Sequence, residues 1–190
     1  AKFNAVMVFI KISAILIFIF IAIFNVNPEN WTPFMPYGWF DRLPNGETVG
    51  VLAGASIVFF AYVGFDAVST AAEEAINPRK DLPKGILYSL LICTIFYIIV
   101  SGLLTGIVHY SELNVSDPVA FALDKIGFPW ASALVATGAI FGLATVMLVL
   151  FYALTRIIFA MSRDGLLPKK LSIVNNKTKT PVTVIISTGI

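Results

Sequence analysis

The chain has 190 residues, of which 58% are hydrophobic and 13% are charged, and its formal net charge is +2. A soluble domain has about twice this share of charged residues, and a mean hydropathy of +0.88 is too high for a surface that faces water on all sides. These values exclude a disordered chain, a nucleic-acid-binding protein and most soluble globular classes. They predict a membrane protein.

Four apolar runs are long enough to cross a bilayer, for which roughly twenty residues are needed. They cover residues 3–24, 49–72, 86–108 and 128–159, and a fifth run begins at 181 and extends to 190. We therefore predict an all-α, polytopic membrane helix bundle, with residues 1–190 as a single incomplete transmembrane domain. Because the chain starts at Ala1 and stops inside an apolar run, we expect an internal piece of a longer protein, which alone neither folds stably nor transports.

Lys and Arg are distributed unevenly among the connections between these runs. Residues 77–85 and 162–180 carry three and five of them, whereas residues 25–48 and 109–127 carry one each. Positive charge close to the ends of spans is retained on the cytoplasmic side. The pattern predicts a multi-pass protein of the cell membrane whose amino end is cytoplasmic.

The two outer connections contain further signals. Ser116, Asp117 and Pro118 place an N-cap candidate before the apolar stretch 119–126, which suggests a short helix on the outer surface. The first outer connection is rich in aromatic residues of the kind found at membrane interfaces. These are Trp31, Tyr37, Trp39 and Phe40.

Lys11 lies eight residues beyond Phe3 in the first run, roughly 12 Å into an apolar layer about 30 Å thick. A lysine at that depth costs roughly 3 kcal/mol even on the lenient insertion scale, so it favours a cavity or a polar partner. Because desolvation weakens the hold of an amine on its proton, Lys11 is a candidate for proton coupling. The alternative is a side chain that extends back to the cytoplasmic interface.

The second run contains Gly64, a weak helix former, and Asp66, an acid near the middle of the membrane. We predict that the helix is interrupted here, where a ligand, a cavity or other protein would satisfy the freed backbone groups. The break would leave carbonyl groups near residues 60–62 able to hold an ammonium group. The alternative is a continuous helix in which Asp66 makes a structural hydrogen bond.

Gly138, Gly142 and Thr145 fall on one face of the fourth predicted helix. Their small-residue spacing favours close helix packing over a ligand role. The sequence contains no paired carboxylates, metal-ligand spacing or nucleophile constellation. We therefore predict no catalytic residue, no metal site and no cofactor, and a protein that is not an enzyme.

Residues 59–66, Phe-Phe-Ala-Tyr-Val-Gly-Phe-Asp, together with residues 73–83, resemble the sixth-helix signature of amino acid permeases in the amino acid–polyamine–organocation superfamily. They are most similar to the bacterial cationic amino acid transporter branch. Lys11, residues 142–147 and residues 156–168 agree with that branch. The resemblance covers essentially the whole chain, which would extend from the fifth helix of the family into the ninth.

The resemblance implies part of a LeuT-type inverted-repeat fold, with the substrate at discontinuous first and sixth helices. It implies that the backbone of Phe60, Ala61 and Tyr62 receives the ammonium group of an amino acid, with the Phe60 ring as a gate. The unwound stretch would be formed by Gly64, Phe65 and Asp66. The first helix of the family, which holds the substrate carboxylate, is absent from this chain.

The resemblance also implies a coupling site. Lys11 matches a lysine that, in proton-coupled members, stands where sodium-coupled relatives hold an ion. Thr145 matches the eighth-helix side of that site, whereas many relatives have a hydroxyl residue where this chain has Ala144, which argues against direct sodium coordination. Met147 is a candidate determinant of pocket size.

We therefore expect part of a secondary active amino acid transporter that works by alternating access and is coupled to protons rather than sodium. Its partners would be the amino acid and the lipid bilayer. Alternatives are a sodium-coupled carrier or an amino acid exchanger and, in another class, a membrane sensor or partner subunit that binds without transporting. The sequence leaves open whether the substrate is cationic or small and neutral, the oligomeric state and any small membrane partner.

Overall fold

The structure is a computed structural model and describes residues 2–44, 46–65, 67, 69, 77–175 and 180–189. The helices of these residues are α1 (Lys2–Ile23), α2 (Val51–Val58), α3 (Pro78–Ile107), α4 (Pro118–Lys125), α5 (Pro129–Arg163) and α6 (Val182–Gly189). Short 3₁₀ helices occupy Pro28–Trp31, Phe59–Tyr62, Tyr110–Glu112 and Lys169–Ser172, and a small hairpin pairs β1 (Asp41–Arg42) with β2 (Thr48–Val49). The predicted all-α class is confirmed.

Three helices of the described residues are long and apolar enough to cross a membrane, namely Asn4–Ile23, Pro78–Ile107 and Pro129–Arg163. A helix satisfies its backbone hydrogen bonds within one segment, which a lipid environment requires. The third predicted run differs from α3 at its start, since α3 begins at Pro78 rather than 86 and includes Pro83. The reason is local: the Asn77 carbonyl accepts the amides of Lys80 and Asp81, and Pro78 occupies the first turn, where its missing N–H costs nothing.

The chain forms two compact units, and α3 and α5 contribute to both of them. The first unit comprises Ala1–Val63 and Ser89–Leu143, and the second comprises Gly64–Tyr88 and Ala144–Ile190.

The hydrophobic core of the first unit lies where α1 and α3 end and α5 begins, and α4 packs there too. Its buried residues are Phe18, Ile21, Ala22, Ile107, Val108, Ala122, Leu123 and Ala131. The short helix predicted before the fourth apolar run is confirmed as α4. The Asp117 carboxylate is its N-cap and accepts the amide of Ala120 at 3.1 Å. The core therefore fixes the ends of three helices around one short connecting helix.

The same end of the first unit is closed by the connection that follows α1. The Asn30 amide donates to the carbonyls of Gly106 and Ile107 at 2.8 and 3.0 Å, and the Trp31 indole donates to the Gly102 carbonyl at 3.2 Å. The Gly106 and Ile107 carbonyls are among the last four acceptors of α3, which have no partner within the helix, and Gly102 lies one turn earlier. Side chains of the loop thus cap α3.

The second unit contains the later part of α5, the 3₁₀ helix Lys169–Ser172 and α6. Ser162 is buried near the end of α5, and its hydroxyl donates to the Pro168 carbonyl at 2.7 Å. Gly165 has a φ of +83°, which a glycine adopts without strain at a helix end. This local bonding reverses the chain after α5.

Candidate functional site

The helix of the second predicted span ends early. After α2 the chain continues as the 3₁₀ helix Phe59–Tyr62, and Val63, with a ψ of 130°, leaves the helical region. Gly64 follows with a φ of +110°, a conformation that side-chain-bearing residues rarely adopt. The predicted interruption is confirmed, and the alternative of a continuous helix is wrong.

Two side chains of α3 hold the end of this 3₁₀ helix. The Tyr97 hydroxyl donates to the Ala61 carbonyl at 2.9 Å. The Tyr62 hydroxyl lies 3.0 Å from Thr94 Oγ1. Because the single proton of the Thr94 hydroxyl is donated to the Leu90 carbonyl at 2.8 Å, Tyr62 is the donor in its bond to Thr94.

The rings of Tyr62 and Tyr97 also contact each other. Their centroids are 5.3 Å apart and their planes are inclined by 80°, an edge-to-face arrangement that aromatic pairs favour. This contact and the two hydroxyl bonds fix the Tyr97 hydroxyl against the backbone at the point where the helix ends. Thr94 and Tyr97 were not predicted from the sequence, although two hydroxyl residues three positions apart in an apolar run share one helix face and are a usable signal.

The predicted ammonium-binding residues Phe60, Ala61 and Tyr62 lie together on this 3₁₀ helix. The Phe60 carbonyl accepts the Val63 amide at 3.2 Å. The Phe60 side chain is 74% exposed and its ring meets that of Phe59 edge-on at 6.4 Å, so the predicted gate ring has one aromatic neighbour within this segment. The role of these residues in binding stays a prediction.

The predicted unwound stretch continues from Gly64 in the second unit. The Gly64 carbonyl accepts the Ala67 amide at 3.1 Å, and the Phe65 side chain is 42% exposed. Asp66, the third predicted residue of this stretch, lies outside the described residues.

Lys11 lies on α1 beside a cavity of about 240 Å³ within the first unit. The cavity is lined by Lys11, Ala14, Ile15, Phe18, Val100, Val119, Val135, Gly138, Ala139 and Gly142. Within the described parts of the chain, Lys11 is the only charged residue of this lining, and its amine has no hydrogen-bond or ion-pair partner there. A charged group in such a setting is stabilised by any polar partner that reaches it.

The other two predicted residues lie on α5 in the second unit. Thr145 is buried and follows Gly142 by three residues along the helix, whereas the Met147 side chain is 72% exposed. Side chains two residues apart on a helix point to opposite faces, so Thr145 and Met147 do not face the same surroundings. The predicted close packing of the small residues is confirmed at Gly138, which meets Ala14 of α1.

The geometry described so far combines membrane helices, a broken helix with bonded carbonyls and an apolar cavity beside a lysine. The profile described as Amino acid permease matches residues 1–190. The chain belongs to the amino acid permease family. The predicted resemblance is thereby confirmed, and with it a multi-pass membrane protein.

Named relatives of this permease chain agree with the family. It is 49% identical over 181 residues to the branched-chain amino acid permease BcaP of Bacillus subtilis. This alignment covers 95% of the chain and 37% of that protein. It is 48% identical over 194 residues to the methylthioribose transporter of the same organism, covering 100% of the chain and 40% of that protein.

A plant relative is similar over a comparable stretch. The permease chain is 43% identical over 169 residues to the chloroplastic cationic amino acid transporter 9 of Arabidopsis thaliana, covering 89% of the chain and 28% of that protein. The chain thus spans 40% or less of the length of these three relatives. All three relatives are named as permeases or transporters and none as an enzyme, which agrees with the expectation that the chain is not part of an enzyme.

Proposed function

We propose that this permease chain is part of a secondary active transporter that takes up amino acids with protons across the cell membrane by alternating access. The observation that carries the proposal is the helix break at Tyr62 to Gly64, which places backbone carbonyls at the end of the short apolar helix Val51–Tyr62. Such carbonyls suit the ammonium group of an amino acid, since a positively charged donor makes the stronger kind of hydrogen bond.

The coupling part of the proposal is supported by Lys11. In the described residues its amine has no partner and lies beside an apolar cavity. A lysine there alternates between a charged form that needs a counter-partner and a neutral form that an apolar cavity accepts. We infer that protonation of Lys11 on one side of the membrane, and deprotonation on the other, biases the carrier between its two states. Neither a metal nor an organic cofactor is needed for this cycle.

The experiment is uptake by the full-length protein in proteoliposomes, with protein-free vesicles as the control. We expect an acidic outer solution to drive accumulation, a protonophore to abolish it, and replacement of external sodium by choline to leave it unchanged. Accumulation that requires sodium would instead identify a sodium-coupled carrier. Counterflow without net accumulation would identify an exchanger, and binding without counterflow would identify a sensor or partner subunit.

A second candidate substrate follows from the relative named as a methylthioribose transporter, which is 48% identical to the chain. Methylthioribose is a neutral sugar thioether without an ammonium group, so it would bond the carbonyls at the helix break through hydroxyl donors alone. Competition of leucine, arginine and methylthioribose for uptake separates the candidates. We expect an amino acid to compete best, and competition by methylthioribose alone would contradict the amino acid assignment.

The proposed orientation has a separate test. In the full-length protein with Cys93 replaced by Ala, single cysteines at Ser116 and Ser172 are labelled with a membrane-impermeant maleimide. We expect labelling at position 116 in intact cells and labelling at position 172 only after the cells are opened. The reverse pattern would place the amino end of α1 outside.

A further inference from the structure

A helix that stops inside a membrane leaves carbonyl groups without partners, because the last four acceptors of a helix have no donor within it. In lipid or in a dry protein interior each such group costs free energy, since no water replaces the missing donor. The 3₁₀ helix Phe59–Tyr62 has such an end, and the chain leaves it at Val63. Whatever donates to these carbonyls therefore determines how stable the broken helix is.

Tyr97 is the donor for one of them. Its hydroxyl lies 2.9 Å from the Ala61 carbonyl oxygen, within the normal range for such a bond. The edge-to-face contact with Tyr62 and the bond from Tyr62 to Thr94 hold the two tyrosines side by side. The hydroxyl thus donates a hydrogen bond to one of the three carbonyl groups that the proposed function assigns to the substrate.

We propose that Tyr97 is a positioning residue whose hydroxyl holds the Ala61 carbonyl until the ammonium group of the substrate takes its place. The inference rests on the proposed function and adds to it a residue on α3. It means that the broken helix keeps its shape whether or not an amino acid is bound. It also means that the substrate must displace an internal donor before it binds.

The exchange favours the substrate for a physical reason. A hydrogen bond from a charged donor is roughly twice as strong as one from a neutral hydroxyl. A carbonyl oxygen has two lone pairs, but two donors on it weaken each other because both draw on the same electron density, so the bond from Tyr97 is weaker once the ammonium group is bound. Removing the hydroxyl therefore destabilises the unbound protein more than the bound one, and it tightens binding of any ligand that carries an ammonium group.

The test is the substitution Tyr97→Phe in the full-length protein, which keeps the ring and its contact with Tyr62. Binding of leucine and of arginine is measured by calorimetry, together with 4-methylpentanoate and 5-guanidinopentanoate, which are the same molecules without the amino group. We expect Y97F to lower the Kd of the bound amino acid by about three- to tenfold, the amount that one net hydrogen bond is worth. The Kd of the analogue without an amino group is expected to stay within about twofold, since that analogue does not displace the hydroxyl.

Two control variants separate positioning from general packing. Thr94→Val removes the bond from Tyr62 in the same helix contact, together with the bond from Thr94 to the Leu90 carbonyl of α3, but it leaves the Ala61 carbonyl bonded to Tyr97. Tyr88→Phe removes a hydroxyl from an exposed tyrosine earlier on α3. We expect neither to tighten amino acid binding. If T94V and Y97F tightened binding equally, the effect would come from looser packing, and the proposal would be overturned.

The remaining outcomes are equally decisive. If Y97F bound the amino acid more weakly but bound the analogue without an amino group as before, the hydroxyl would itself contact the substrate. Weaker binding of both the amino acid and its analogue would mean a structural role, and an unchanged Kd would mean no role, so each of these results overturns the proposal. If the wild-type protein bound neither amino acid, the proposed function would fail, which differs from a failure of Y97F in a protein that does bind.

Discussion

Gly138 of α5 lies so close to Ala14 of α1 that a Cβ atom placed on Gly138 would stand 2.5 Å from the Cβ atom of Ala14. Two carbon atoms in non-bonded contact prefer roughly 3.5–4 Å. Because both atoms are attached directly to helix backbones, neither can rotate away. The contact therefore sets the distance between α1 and α5, and Gly138 is required for it.

The substitution Gly138→Ala is expected to destabilise the protein by about 1–3 kcal/mol, the usual cost of forcing an extra carbon into a packed contact. Thermal unfolding of the full-length protein in detergent measures this loss. The matched control is Gly142→Ala, one turn later on α5, where an added Cβ meets nothing within 4 Å. Since alanine favours a helix over glycine, G142A should be neutral or stabilising, and equal losses in both variants would refute the close contact.

Asn30 connects the first outer loop to the end of α3 through two bonds from one amide group, to the carbonyls of Gly106 and Ile107. Asn30→Ala removes both bonds; the Gly106 carbonyl keeps the amide of Asn27 at 2.9 Å, so the loss falls mainly on the Ile107 carbonyl and is expected to cost about 1–2 kcal/mol of stability. Glu29→Ala, a change of an exposed neighbour, is the control and should have little effect. Thermal unfolding of the two variants is compared, and an unchanged midpoint for N30A would show that the cap contributes nothing.

Gly64 has a φ of +110°, and an added Cβ there would meet nothing within 4 Å. The cost of Gly64→Ala is therefore backbone strain rather than a clash, and about 1–3 kcal/mol is expected for a residue held in such a region. We expect amino acid uptake to fall by at least about tenfold, because the helix break shifts to relieve this strain. Gly54→Ala, in the regular part of α2 and equally open, is the control, and full uptake by G64A would contradict a functional need for this turn.

The helix break could be predicted from the sequence because its causes are local. Gly64 combines low helix propensity with access to positive φ, and both properties act whatever the rest of the chain does. The N-cap Asp117 was predictable for the same reason, since its carboxylate bonds an amide three residues later. The structure adds a detail that the sequence did not indicate, namely that the last turn before the break is a 3₁₀ helix, Phe59–Tyr62.

The partners of these groups could not be predicted in the same way. Tyr97 is 36 residues from Ala61 in the sequence, and its hydroxyl meets that carbonyl only because α3 lies beside the 3₁₀ helix at one particular register. Register between helices depends on contacts summed over whole faces, which no local pattern fixes. The capping of α3 by Asn30, 76 residues before Gly106, was missed for the same reason.

Lys11 provides the last prediction, because its charge beside an apolar cavity is the basis of the proposed proton coupling. Lys11→Met keeps most of the length of the side chain and removes the titratable amine. In proteoliposomes we expect K11M to lose accumulation driven by an acidic outer solution while counterflow, which needs no net proton movement, continues. Lys80→Met, an exposed lysine in the first turn of α3, is the control and should leave both activities unchanged. Accumulation by K11M that still follows the pH gradient would assign the coupling to another group, whereas loss of counterflow as well would mean that Lys11 is needed for transport itself.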